Sequence, residues 1–191
     1  MKALVLNELG GPEKLAIADV PQPEPAAGEV RVAISHAALN RRDVWITVGK
    51  YPRVELPSIG GSDGAGVVDA VGAGVDANLV GKEVVIYPAR DWGDDPRCGG
   101  ANFRVLGMPD QGTFAESICV PATDIAAKPD HLTFEQAAAL PLAGLTSWRA
   151  LVTHGEVKAG QKVLVTGIGG GVATFALLWA THHGAEVYVT S

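Results

Sequence analysis

The sequence predicts an α/β plus β architecture: a partly open β-barrel followed by the first βαβ part of a doubly wound parallel sheet. Three observations predict it. Up to about residue 125, short β-branched runs are cut by frequent turn residues. Beyond that point the pattern turns helical and then runs strand, glycine turn, helix, strand. Glycine is the compositional outlier, 24 of 191 residues or about 13%, against a usual ~7%. With no Gly-X-Y period, these glycines serve turns and close backbone approaches.

The elements follow in order. Residues 3–6, 29–35, 65–70, 83–87 and 115–120 read as strands. Pro21-Gln22-Pro23-Glu24-Pro25 separates the first two as an extended linker, because proline fixes φ. Seven glycines crowd the stretch 60–81, as turns between short strands require. Residues 91–112 carry breakers and acids without periodicity and read as a loop or lobe.

Thr133 and Gln136 form a capping box that opens a helix running to Pro141. Residues 146–154 read as a second helix, closed by Gly155. Lys162-Val163-Leu164-Val165-Thr166 has the apolar run of a strand buried on both faces. Gly167-Ile168-Gly169-Gly170-Gly171 turns the chain into a helix over 172–183, with apolar positions 172, 175, 176 and 179 on one face. Gly184 ends it, and 186–190 is the next strand. The expected domains are therefore 1–125 and 126–191. A two-stranded parallel sheet leaves edges and faces open, so the sequence is expected to be a fragment of a longer polypeptide.

Composition excludes several classes. Fifteen Lys and Arg against 21 Asp and Glu give a net charge of −6, without the basic face that nucleic acid requires. No run reaches the ~18 apolar residues of a membrane span, and the apolar part of residues 1–6 is too short for a signal peptide. Cys98 and Cys119 lack C-x-x-C spacing, which removes a cysteine zinc site. They read as two reduced thiols in a cytoplasmic protein, with a single bridge as the other reading. There is no H-E-x-x-H and no G-x-S-x-G, so neither zinc proteolysis nor serine hydrolysis has support.

The glycine turn carries the first chemistry. At a strand-to-helix junction, free N–H groups and the positive helix end hold a pyrophosphate if no side chain obstructs the approach. Gly167, Gly170 and Ala173 give G-x-x-G-x-x-A: a tight turn, a phosphate approach, and close helix–strand packing. Gly169, Gly171 and Val172 complete the candidate cradle. The position that separates NAD from NADP falls at Thr190-Ser191, the tip of the second strand. No Asp or Glu stands there to accept a ribose hydroxyl, which leans toward NADP without excluding NAD.

Further constellations are Ala38-Leu39-Asn40-Arg41-Arg42-Asp43-Val44-Trp45, Gly49-Lys50-Tyr51-Pro52, Gly60-Gly61-Ser62-Asp63-Gly64-Ala65-Gly66, Gly112-Thr113-Phe114-Ala115-Glu116 and Leu140-Pro141-Leu142-Ala143-Gly144-Leu145-Thr146. With the glycine turn, they resemble the medium-chain dehydrogenase/reductase superfamily, closest to its quinone-oxidoreductase and zinc-alcohol-dehydrogenase-like branch, along essentially the whole chain. The resemblance implies a GroES-like catalytic domain, then a Rossmann domain whose remainder follows Ser191. It also implies homodimers or homotetramers, and a cofactor lying between the two domains.

Zinc-dependent members of that superfamily place Cys where this chain has Asn40, His where it has Ser62, and Cys near Leu142. Arg42 stands where their proton-relay hydroxyl would be, and of the structural-zinc cysteines only Cys98 is found. No zinc is expected. Without a Lewis acid, acceptors already polarised for hydride are favoured: a quinone or an activated alkene such as an enone or enal. The expected protein is a zinc-independent NAD(P)H oxidoreductase. The alternatives are an alcohol or aldehyde dehydrogenase of the zinc type and a non-catalytic nucleotide sensor.

The resemblance makes Asn40 a candidate donor to the substrate carbonyl; its other reading is a turn residue bonding its own backbone. Asp43 orients Arg41 or Arg42 or closes the pocket, or forms a surface ion pair. Tyr51 lines the substrate mouth or donates a proton, or packs beside Pro52. Thr146 resembles a position under the nicotinamide.

Overall fold

A computed structural model describes residues 1–191, which divide into two compact units, 1–95 with 99–141 and 96–98 with 142–191. The first begins with β1 (Lys2–Leu6), β2 (Leu15–Asp19) and β3 (Glu29–Ala38), followed by helix α1 (Arg41–Thr47). β4 (Ser58–Ile59), β5 (Asp63–Val71), β6 (Glu83–Ile86), the short pair β7 (Ala89–Arg90) and β8 (Arg104–Val105), β9 (Ser117–Pro121), β10 (Ile125–Ala127) and helix α2 (Phe134–Ala138) complete it.

β10-β6-β5-β3-β9 form one antiparallel sheet and β2-β1-β4 another. The lead into β9 stitches them together. Leu4 N–H donates to Phe114 O at 2.8 Å and Glu116 N–H to Lys2 O at 3.0 Å. The outer strands β2 and β10 do not pair, so the barrel stays open, as expected.

Alternation sets the core. Val30 and Val32 of β3, Val68 of β5, Val84 and Ile86 of β6, and Ile118 and Val120 of β9 point inward around Leu106. Each such side chain contributes about 1.5–3 kcal/mol of burial. β3 and β5 cross so closely that a Cβ on Gly66 would lie 2.0 Å from Ala33 O.

Several sequence expectations shift. β2, β4, β7, β8 and β10 stand where no strand was expected, and α1 occupies a stretch given no secondary structure. β3 runs past residue 35 to Ala38, because His36–Ala38 stay in register with Asp63–Ala65 after a bulge. The first compact unit extends beyond the expected boundary at 125. β10 pairs with β6, and Ala137 and Ala138 of α2 pack fully buried against Ala65. The 91–112 segment is largely irregular, as read: its β8 pairs with β7, Leu106 bridges to Asp110, and Leu106 and Met108 are buried. Trp92 and Phe103 meet edge-on at 4.9 Å within it.

In the second unit, α3 (Pro141–Trp148) begins at Pro141 rather than at Thr146 and continues into a π-type turn over Arg149–His154. Pro141 stops the preceding helix and opens this one, since its fixed φ suits a first turn. β11 (Lys162–Val165) pairs in parallel with β12 (Glu186–Val189), joined by α4 (Gly171–His182). α4 buries Ala176 and Ala180, leaving Val172 at 42% exposure rather than on a buried face. Leu164 of β11 is 65% exposed, on the open face that a two-stranded parallel sheet leaves. No helix is long and apolar enough to cross a membrane.

Candidate functional site

In the first unit the candidate site is built around the start of α1. Asn40 holds an extended conformation ahead of the helix, with φ −124° and ψ 154°. Its N–H donates to Asp43 Oδ2 at 2.7 Å, and Asp43 N–H donates to Asn40 O at 3.0 Å. This reciprocal pairing across three residues is a helix start, and the Asn40–Asp43 spacing was the sequence signal for it. The Asn40 amide points elsewhere, with Nδ2 donating to Asp63 Oδ2 at 2.8 Å. Its side chain is thus committed to β5 instead of to its own turn.

Asp43 makes no ion pair with Arg41 or Arg42; it caps α1. Its Oδ1 is buried without a hydrogen-bond partner. Burial pushes its carboxyl above the ordinary value, against the lowering effects of the Asn40 N–H and the Arg42 charge.

Arg42 is the residue whose part the sequence did not reveal. Its Nε donates to Tyr51 Oη at 3.3 Å, Nη1 to Leu106 O at 2.7 Å and to Ser62 Oγ, and Nη2 to Met108 O at 3.1 Å. Ser62, fully buried, in turn donates to Leu106 O at 2.9 Å. Tyr51 does pack, against Leu6, Ile46 and Met108, while its hydroxyl reaches Arg42. Asp63 is 1% exposed, and Thr113 Oγ1 bonds its carbonyl at 2.7 Å. The structure thus brings Asn40, Asp43 and Tyr51 together through Asp63, Ser62 and Arg42. No signal local to Arg42 forecast this, because its carbonyl partners lie more than sixty positions away.

In the second unit the glycine turn is open. Gly167 has φ +67°, and a Cβ on Gly167 or Gly169 would meet nothing within 4 Å. On Gly170 a Cβ would find only Gly167 O, at 3.7 Å. Gly170 is the N-cap of α4, so the N–H groups of Gly171, Val172 and Ala173 have no intrahelical carbonyl and stand at the positive helix end. Thr190 tethers the turn: its Oγ1 accepts from Gly167 N–H at 3.3 Å and its carbonyl from Ile168 N–H at 3.0 Å. Ser191, exposed, adjoins that tether. Thr146 is exposed on α3 and bonds back to Leu142 O at 2.7 Å. An uncluttered backbone, a helix N-terminus and a strand-tip latch are what a pyrophosphate needs, so these residues fit a dinucleotide.

The family described as "Alcohol dehydrogenase GroES-like domain" matches residues 26–130. A zinc-type alcohol dehydrogenase-like protein of Leptosphaeria maculans is 39% identical over 182 residues, 90% of this chain and 51% of that protein. A quinone oxidoreductase of Pseudomonas aeruginosa is 34% identical over 189 residues, 99% of this chain and 52% of its own length. Among solved structures, an NAD-dependent alcohol dehydrogenase superposes with a TM-score of 0.94 at 43% identity, covering 100% of this chain and 58% of that one. The chain spans about half the length of the curated relatives it matches.

Proposed function

Because the chain belongs to the medium-chain dehydrogenase/reductase superfamily, through its GroES-like domain and relatives along nearly its whole length, we propose that its protein is a zinc-independent NAD(P)H oxidoreductase. Its relatives are named as oxidoreductases; the proposal adds acceptor, cofactor and metal. The acceptor is a quinone or an activated alkene. The cofactor is NADPH in preference to NADH, held at the glycine turn and at Thr190 and Ser191 beyond β12.

One observation carries the reading. Where a catalytic zinc requires three N, O or S side-chain donors, Asn40 is bonded to Asp63, and Ser62 to the Arg42 guanidinium and Leu106 O. A fixed cation bonded to Ser62 is the reverse of what a dication tolerates, and no three His, Cys, Asp or Glu side chains group together as metal ligands. The residues do not fit zinc.

When bound, the nicotinamide supplies a hydride. The chain's own residues do the rest. Gly167, Gly169, Gly170 and Gly171, with the amides of Val172 and Ala173, would hold the pyrophosphate; Thr190 keeps the turn in shape, and Thr146 would contact the nicotinamide. Asn40 has a second amide hydrogen for a substrate carbonyl, Tyr51 a hydroxyl, and Asp43 fixes the helix that presents Asn40 and Arg42. The protein works in the cytoplasm on a small neutral carbonyl compound, as a homodimer or homotetramer, without nucleic acid or membrane.

The similarity to an NAD-dependent alcohol dehydrogenase favours a second reading, alcohol–aldehyde oxidoreduction. Steady-state oxidation of NADPH and NADH by the full-length protein, against a panel of quinones, enals and simple aldehydes, separates the two. Quinone or enal turnover exceeding aldehyde turnover is expected; aldehyde turnover alone overturns the proposal.

A further inference from the structure

All four hydrogen bonds of the half-buried Arg42 guanidinium go to uncharged acceptors: Tyr51 Oη, Ser62 Oγ and the carbonyls of Leu106 and Met108. A guanidinium carries five N–H groups in a rigid fork. Four of them here grip segments far apart in sequence, so its position is over-determined. Tyr51 is fixed from two directions: its ring packs on Leu6, Ile46 and Met108, and Arg42 Cζ lies 4.7 Å from the ring centroid. The bond from Arg42 Nε uses a lone pair of Tyr51 Oη and leaves the phenolic hydrogen, for which the chain provides no acceptor. A donor held by a cation, with its hydrogen uncommitted, is built to give that hydrogen to something the chain does not contain.

We propose that Arg42 is a positioning residue that acts through Tyr51, holding and polarising the phenol so that its hydroxyl donates to the carbonyl oxygen of the acceptor. The inference rests on the oxidoreductase reading above and deepens it. In a conjugated acceptor the incoming hydride pair forms a C–H bond at carbon, and the π pair moves onto oxygen. That oxygen takes the Tyr51 proton. The tyrosinate left beside the guanidinium recovers its proton from water, so each acceptor consumes one hydride and one proton. Arg42 thus supplies the charge stabilisation that a metal would otherwise give, one bond removed from the substrate.

A double-mutant cycle on the full-length protein tests this. Arg42→Met and Tyr51→Phe are each expected to lower kcat with a quinone by about 100-fold, with unchanged NADPH affinity. The double variant is expected to be no slower than the slower single one. Calorimetric binding of a cyclic ketone in the presence of NADP+ should weaken equally in all three. Arg42→Lys keeps the charge but not the fork, and should fall between wild type and Arg42→Met. Losses that multiply in the double variant overturn the proposal, as does wild-type kcat in Arg42→Met. If Arg42→Met does not fold, Arg42→Lys decides by the same kcat and ketone-binding readouts, and wild-type values in both overturn it. If the wild-type protein oxidises no NADPH with any acceptor, the oxidoreductase reading fails, while the ketone-binding cycle still decides whether Arg42 acts through Tyr51.

Discussion

Asn40 Nδ2 donates to Asp63 Oδ2 at 2.8 Å, joining the residue that opens α1 to the first residue of β5. Asp63 is 1% exposed, so each donor to its carboxylate replaces water it has lost. Asn40→Ala is expected to cost about 1–3 kcal/mol of stability, the penalty for removing a partner from a buried acceptor. Asn40→Asp should cost more, because it sets two carboxylates against each other. Urea unfolding checks both, and equal stability of Asn40→Ala and wild type would refute the role given to this bond.

The glycine turn predicts a separation of binding from folding. A Cβ at Gly169 meets no atom of the chain within 4 Å, so Gly169→Val should leave stability within about 0.5 kcal/mol of wild type. The same side chain would fill the space through which a pyrophosphate approaches. NADPH affinity, measured by fluorescence titration of the full-length protein, should fall at least about tenfold, roughly 1.4 kcal/mol. Undiminished affinity would place the dinucleotide elsewhere.

Burial holds the Asp43 carboxyl protonated to higher pH than its ordinary value of 3.8, despite the Asn40 N–H and the Arg42 charge. The folded chain therefore binds more protons than the unfolded one in the window just above that value. Stability falls as pH rises through the window. Asp43→Asn retains an acceptor for the Asn40 N–H and removes the titration, so the variant should gain stability relative to wild type on going from acid to neutral pH. Parallel stability profiles for the two proteins would contradict this assignment.

The two cysteines are both reduced; Cys98 is exposed and Cys119 half-buried. Burial pushes the Cys119 thiol up to about 11. At about pH 8 only roughly one molecule in a thousand then carries the reactive thiolate. A disulfide reagent should titrate one thiol in the native protein and the second only after unfolding. Rapid reaction of both would show that Cys119 is more open than this.

Local pattern carried β1, β3, β5, β6 and β9 of the first unit and the strand–turn–helix–strand order of the second. Alternation in 29–35 is a signal that packing reinforces, since Val30 and Val32 are fully buried, while in the glycine-bounded run 162–166 only Val165 is buried. β2 was not legible, because Leu15-Ala16-Ile17-Ala18 is apolar without alternation and most of its side chains stay exposed, so its pairing with β1 leaves no periodic code. α1 was hidden as well. Arg41, Arg42 and Asp43 show no apolar periodicity, and the one local signal, the Asn40–Asp43 spacing, becomes a helix start through the reciprocal bonds between them. At the candidate site, Asn40 and Ser62 were singled out through the family resemblance. The part of Arg42 was not legible, since its bonds to Leu106, Met108 and Ser62 exist only once the fold has brought those segments together.

The most direct test combines turnover and metal content in one sample: steady-state NADPH oxidation with a quinone by the full-length protein after exhaustive chelation, with zinc measured on the same material. The account predicts that turnover survives chelation with zinc far below one per chain. Stoichiometric zinc whose removal abolishes turnover would contradict it.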